Sequence, residues 1–306
     1  MPDSNFDVIV IGAGITGLTA AKLTAQNGLA TASIEALLFG GLVINVNELD
    51  PAPSDETLSG IDMASNLMTE IVELGVENLS ETVTALSRDG DFLAVTTDAG
   101  SHRARAVIVA SGAKLKRVGI PGEMEFEHRG VSQCADCDGP MYKDEKVVVV
   151  GGGDSALQEA LVLANFCKRV HLVHRGAKFR ARQHLIEAVA ARDNIQPVWN
   201  TVAEEVLGAQ MVNKVRVRNL ADGKASEIPC AGFFAYIGLE PICAFMPPEI
   251  KRDAGGFLVT DASLQTAMAS VFAAGAVRAG YGGMLTDAAT EAQSAAAAAG
   301  ARLGKQ

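Results

Sequence analysis

Phe6, Val8, Ile9, Val10 and Ile11 form a nearly unbroken apolar run. That is the pattern of a strand buried on both faces of a parallel sheet, not of a half-exposed one. A glycine cluster follows, then helical spacing over residues 16–27, a stop at Gly28 and a second strand over 31–35. The design recurs further along. A valine-rich strand over 146–150 leads into Gly151, Gly152 and Gly153, a helix over 155–166 and a strand over 170–174. Glu35 lies 23 residues after Gly12, and His174 lies 23 after Gly151. Two βαβ units of matched spacing predict an α/β fold with two Rossmann-like dinucleotide-binding domains. Elsewhere the pattern predicts an amphipathic helix over 58–75, two or three strands over 81–102 turning at Asp89-Gly90, and strands over 106–110, 215–218 and 232–237. The Ala-rich stretch 286–302 predicts a close-packed helix.

Composition narrows the class. The chain has 306 residues, enough for two domains, and is 48% hydrophobic and 20% charged, as in a globular protein with a sizeable core. A net charge of -10 argues against a nucleic-acid or anionic-membrane partner. No run approaches the ~18 apolar residues of a membrane span, and the first residues lack the basic region of a secretory leader. Five cysteines, an odd number, do not suit a secreted disulfide framework and point to a reducing cytoplasm.

The candidate chemistry lies in and between the two glycine clusters. Gly12, Gly14, Ile15, Thr16 and Gly17 bring backbone N–H groups and a helix N-terminus to a pyrophosphate. Glu35, at the end of the second strand, accepts from ribose hydroxyls and repels a 2′-phosphate, so this first site suits FAD or NAD. In the second cluster, Gly151, Gly153, Asp154 and Ser155 repeat the cradle, but the following strand ends in His174 and Arg175, with Lys178 and Arg180 nearby. Positive charge there suits NADP. Between the clusters lie Cys134 and Cys137, a C-x-x-C pair followed by Asp138. Zinc needs more ligands than this pair offers, and Cys167, Cys230 and Cys243 are scattered, so no metal site is expected. A C-x-x-C thiol of lowered pKa exchanges disulfides near neutral pH, and Asp138 is placed to move the proton. Two nucleotide sites around a dithiol imply electron flow from a nicotinamide, through a flavin, to the cysteine pair.

With these motifs the chain resembles the low-molecular-weight thioredoxin reductases over nearly its full length. The matching residues include Gly12 to Gly17, Gly40-Gly41, Gly119 to Glu123, Arg129 to Ser132, Cys134 to Gly139, Gly151 to Ala156, His174-Arg175, Phe179-Arg180, Ile237-Gly238 and Phe272 to Gly275. The resemblance implies an FAD domain of residues 1–113 and 243–306, with an NAD(P)H domain of 114–242 inserted and carrying the cysteines. It implies a homodimer, and FAD and NADPH as cofactors, with NADH as the alternative donor. It adds Gly40, Gly41, Asn45, Gly112, Gly275, Ala276, Ile237 and Gly238 to the cofactor-binding set. It also implies that Cys137 faces the flavin, that Cys134 attacks an external disulfide and that Asp138 is the acid/base. The acceptor is expected to be a thioredoxin-like protein or a small disulfide. Departures cluster at the flavin: Leu42, Ala276 and Gly283-Met284 stand where the family has Gln, Asp and Arg-Gln, and the family has an Asn near Pro51. Gly176 replaces a family Arg at the nicotinamide site. FAD is therefore expected to bind more loosely and at an altered potential. Rival readings are a small-molecule dithiol oxidase using oxygen, a redox-sensing flavoprotein without turnover, and a flavin reductase independent of the cysteines.

Overall fold

Strand β1 (Asn5–Ile11) feeds the glycine turn, helix α1 (Ile15–Gln26) and strand β2 (Thr31–Ile34) in a computed structural model that describes residues 5–46, 49 and 59–305. Helix α2 (Gly60–Glu73) starts one residue after Ser59, whose Oγ accepts from Asp62 N at 3.2 Å while Asp62 accepts from Ser59 N at 3.3 Å. This reciprocal cap sets the start of the predicted 58–75 helix. Strands β3 (Glu77–Leu79), β4 (Val83–Asp89), β5 (Phe92–Thr97) and β6 (Ser101–Val109) follow. β6 continues without a break from the meander into the buried sheet, so the short 106–110 strand of the sequence reading is the end of a longer one. The family-specific position Pro51 lies outside the described residues.

The chain divides into two compact units, residues 1–114 with 240–306, and residues 115–239. The passages between them, β7 (Ala113–Leu115) and, later, β16 (Leu239–Pro241), pair with each other. The inserted unit runs β8 (Val131–Ser132), a one-turn helix α3 (Ala135–Asp138), β9 (Lys146–Gly151), α4 (Asp154–Leu163), β10 (Arg169–Val173), α5 (Gln183–Ala190) and β11 (Ile195–Val198). It closes with β12 (Thr201–Gly208), β13 (Val212–Asn219), β14 (Ala225–Pro229) and β15 (Gly232–Tyr236). The chain ends with β17 (Val271–Ala273) and α6 (Leu285–Arg302).

Within the first unit the sheet order is β3-β2-β1-β6-β5-β4, with β17 on the other side of β6. β1 pairs in parallel with β2 and β6, and β4–β5–β6 is antiparallel. The apolar run of β1 serves two cores. Val8 and Val10 pack toward α1, α2 and α6, while Ile9 and Ile11 pack with Leu93, Met246 and Leu258 on the opposite face. Ala292, Ala295, Ala296 and Ala299 of α6 are buried, and their small side chains let α6 pack closely on α1. The second unit repeats the plan in a parallel sheet ordered β11-β10-β9-β15-β8. Val147 and Val149 of β9 face α4 and α5, and Val148 and Val150 face the antiparallel β12-β13-β14 meander. In both units the strand ends carry the glycine turns, where a doubly wound sheet places its ligand crevice.

Candidate active site

In the first unit, Gly12 has a φ of +105°, and a Cβ there would strike the Ala110 carbonyl. A Cβ on Gly17 would strike the Gly12 carbonyl, so α1 packs against the turn only because both side chains are absent. Gly14 caps α1 without a side-chain hydrogen bond, and the first turn contains no acid. The helix thus presents uncapped N–H groups and a positive dipole end, the donor set that a pyrophosphate needs. Glu35 folds over the turn, accepting from Ala13 N at 2.9 Å and Leu37 N at 3.1 Å. Gly40 donates to Ala13 O at 2.6 Å. Gly41 and Asn45 are the ends of one short 3₁₀ turn. Gly275 sits against the Thr16 side chain, and its N–H donates to Glu291 at 2.7 Å. Glu291 also holds Arg278 in a largely buried ion pair. This bracing pair was not read from the sequence; its members are 13 positions apart across a loop and leave no local motif. Ala276 is half-buried and supplies no side-chain polar atom, while Leu42 and Met284 are exposed. Gly112 has a φ of +69° and accepts from Ile242 N at 3.0 Å. The uncapped N–H groups of α1 and the Glu35 carboxylate fit the phosphate and adenosine parts of FAD.

The second unit has a cleft of about 700 Å³ above the β9–α4 turn, lined by residues that include Gly153, Ser155, Arg175, Arg180 and Gly238. Gly153 caps α4 with no side-chain bond. Asp154 is turned aside, accepting from Arg182 N and Nε at 2.7 Å each. His174 lies at the cleft wall, but its Nδ1 is bonded to Gly151 O at 2.8 Å, and its ring packs among Phe179 and Trp199. A Cβ on Gly152 would collide with that ring. His174 therefore braces the glycine turn, whereas Arg175 and Arg180 are exposed and, among the described residues, in no ion pair. Ile237 is 40% exposed at the same cleft. The cleft suits an anionic dinucleotide, with free cations at its mouth.

Cys134 and Cys137 form a disulfide, with Cα atoms 5.3 Å apart. Cys134 is the N-cap of α3, and its Sγ accepts from Cys137 N at 3.1 Å. Ser132 Oγ accepts from Cys134 N at 3.1 Å. Cys137 is exposed, while Cys134 and Asp138 are half-buried. The other cysteines are free and buried, and burial pushes the Cys167 thiol up to about 11 and that of Cys230 up to about 12. Those thiols stay protonated and unreactive. No metal-binding cluster occurs among the described residues.

Two dinucleotide cradles and an accessible C-x-x-C disulfide define a flavoprotein disulfide oxidoreductase. The family profile described as pyridine nucleotide-disulphide oxidoreductase matches residues 6–299, and the chain belongs to that family. A thioredoxin reductase of Treponema pallidum is 37% identical over 278 residues, covering 90% of each chain. One from Listeria innocua is 37% identical over 276 residues, 90% of this chain and 86% of that protein. The crystal structure of Lactococcus lactis thioredoxin reductase matches with a TM-score of 0.92 at 33% identity, over 98% of this chain and 99% of that one. The chain is thus a disulfide-reducing oxidoreductase of the thioredoxin reductase type, whose cofactors are FAD and NADPH. No helix among the described residues is long and apolar enough to cross a membrane.

Proposed function

We propose that the protein carries electrons from NADPH to thioredoxin, or to a thioredoxin-like protein, through FAD and the Cys134–Cys137 disulfide. The observation that carries this reading is the Cys134–Cys137 disulfide, with Cys137 exposed, in the same unit as a cleft whose Arg175 and Arg180 have no ion-pair partner among the described residues. Residues 1–113 and 243–306 form the FAD domain, and 114–242 the NADPH domain. In the first, Gly12, Gly14, Ile15, Thr16, Gly17 and Gly275 hold the phosphates. Glu35 takes the adenosine ribose, and Gly40, Gly41, Asn45, Gly112 and Ala276 complete the site. Bound FAD supplies two-electron exchange between a nicotinamide and a disulfide.

In the second domain, Gly151, Gly153, Asp154 and Ser155 shape the phosphate cradle, and Ile237 and Gly238 its far wall. His174 keeps the turn in register, and Arg175 and Arg180 take the 2′-phosphate. Two electrons break the Cys134–Cys137 bond. The N–H donated to Cys134 Sγ stabilises a thiolate there, which suits Cys134 as the nucleophile toward the external disulfide. Cys137 receives the electrons, and Asp138 moves the sulfur proton. The enzyme works as a homodimer in the cytoplasm, where its three buried thiols stay reduced. With FAD loaded, the protein is expected to reduce oxidised thioredoxin at the expense of NADPH, and Cys134→Ser and Cys137→Ser each to abolish this. Thioredoxin reduction undiminished in Cys137→Ser would contradict the assignment.

A further inference from the structure

Beneath the redox helix lies a pair of titratable side chains that the mechanism above does not use. Glu159, on α4, is half-buried, and Tyr236, the last residue of β15, is buried. Tyr236 Oη donates to Glu159 Oε2 at 3.4 Å. Helix α3, which begins at Ala135 directly after Cys134, packs against α4. Asp136, on α3, is the other charged group facing Glu159. From α5 the N-cap Arg182 holds Asp154 at the first turn of α4, and the core contacts of α4 are apolar, Val147 and Val149 from β9, Val170 and Leu172 from β10, and Leu185 and Val189 from α5. Tyr236 also lines the dinucleotide cleft, so this pair touches both the cleft and the cysteine helix.

We propose that Glu159, held by Tyr236 under α3, is a proton-holding positioning residue: it takes up a proton when the Cys134–Cys137 disulfide is reduced and releases it when the disulfide re-forms. When two electrons break the S–S bond, one proton goes to one cysteine sulfur, leaving the other as thiolate. The negative charge gained at the start of α3 repels a Glu159 carboxylate, which takes a second proton from solvent. Reoxidation reverses both transfers. Burial, then the Asp136 charge, already pushes Glu159 up to about 7, so the exchange falls in the working pH range. The inference rests on the redox reading of the cysteine pair.

The test equilibrates the whole protein in glutathione redox buffers from pH 6 to 8.5, traps thiols with a maleimide and counts them by mass. Glu159→Gln keeps the hydrogen-bonding shape and removes the titration. It is expected to match wild type near pH 6. At pH 8.5, where wild type carries the extra anion, the variant is expected to be more readily reduced, by about threefold or more in the equilibrium constant. Tyr236→Phe removes a donor that stabilises the Glu159 carboxylate. In that variant the pH at which wild-type reduction weakens is expected to move upward. An equal wild-type to Glu159→Gln ratio at both pH values, or an unmoved window in Tyr236→Phe, overturns the proposal. If the cysteine pair shows no thiol–disulfide transition at any pH, the redox reading itself fails.

Discussion

Arg175 and Arg180 stand exposed at the mouth of the second cleft, and no carboxylate among the described residues pairs with either. A cation on the protein surface without a partner is most useful when a ligand brings the anion, and the anion proposed for this site is the 2′-phosphate that distinguishes NADPH from NADH. Arg180→Ala is therefore expected to lower kcat/KM for NADPH about tenfold or more, from the loss of a charged hydrogen bond. The value for NADH should change little, and an equal fall for both would refute the assignment. Glu159 makes a separate prediction about stability. Its carboxyl is raised in the folded state from 4.5 to about 7, so its protonated form favours folding below 4.5 and that contribution is lost as pH rises through 7. Wild type should lose about 1–3 kcal/mol relative to Glu159→Gln between pH 4.5 and 8, read by urea unfolding at each pH. The glycines, Glu35, the arginines and the cysteine pair were legible in the sequence because each belongs to a motif of fixed spacing. Glu159–Tyr236 and Arg278–Glu291 were not, since their chemistry arises only when separated elements meet. His174 was legible as a residue of the site, but its ring orientation depends on Trp199, 25 positions away.

The central strands were legible at the element scale because burial on both faces leaves a continuous apolar signature, seen in β1 and β9. Only part of β13 was read, and β12 was missed. Both belong to an antiparallel meander whose outer face carries Glu204, Glu205, Arg216 and Arg218 as ion pairs, and such mixed alternation looks like loop when read strand by strand. Helix α4 ends at Leu163, three residues before the expected 166, and the chain then closes back, with Cys167 N donating to Leu163 O and Lys168 N to Glu145 O beside β9. Helix α6 does more than pack. Through Glu291 it fixes the Gly275 amide and Arg278 beside the first glycine turn. Glu291→Ala leaves Arg278 and the Gly275 N–H without that partner. Breaking a buried ion pair from one side costs about 3–5 kcal/mol, so the urea midpoint should fall sharply, and a change below about 0.5 kcal/mol would show the brace to be dispensable.

For the whole molecule, the repeat of a doubly wound plan gives two units with separate cores and separate cradles. Each cofactor should then stabilise its own unit by mass action. FAD is expected to raise the melting transition of residues 1–114 with 240–306, and NADPH that of residues 115–239, read by hydrogen exchange of each unit's amides. Protection by NADPH confined to the first unit would reverse the cofactor assignment. The central claim is that electrons entering from NADPH reach the Cys134–Cys137 pair. The measurement that tests it most directly is an anaerobic titration of the FAD-loaded protein with NADPH, following absorbance and free thiols together. The account predicts that about two equivalents of NADPH are consumed per chain, with two new thiols appearing at Cys134 and Cys137. Consumption of about one equivalent with no thiol released would show that the disulfide lies outside the electron path.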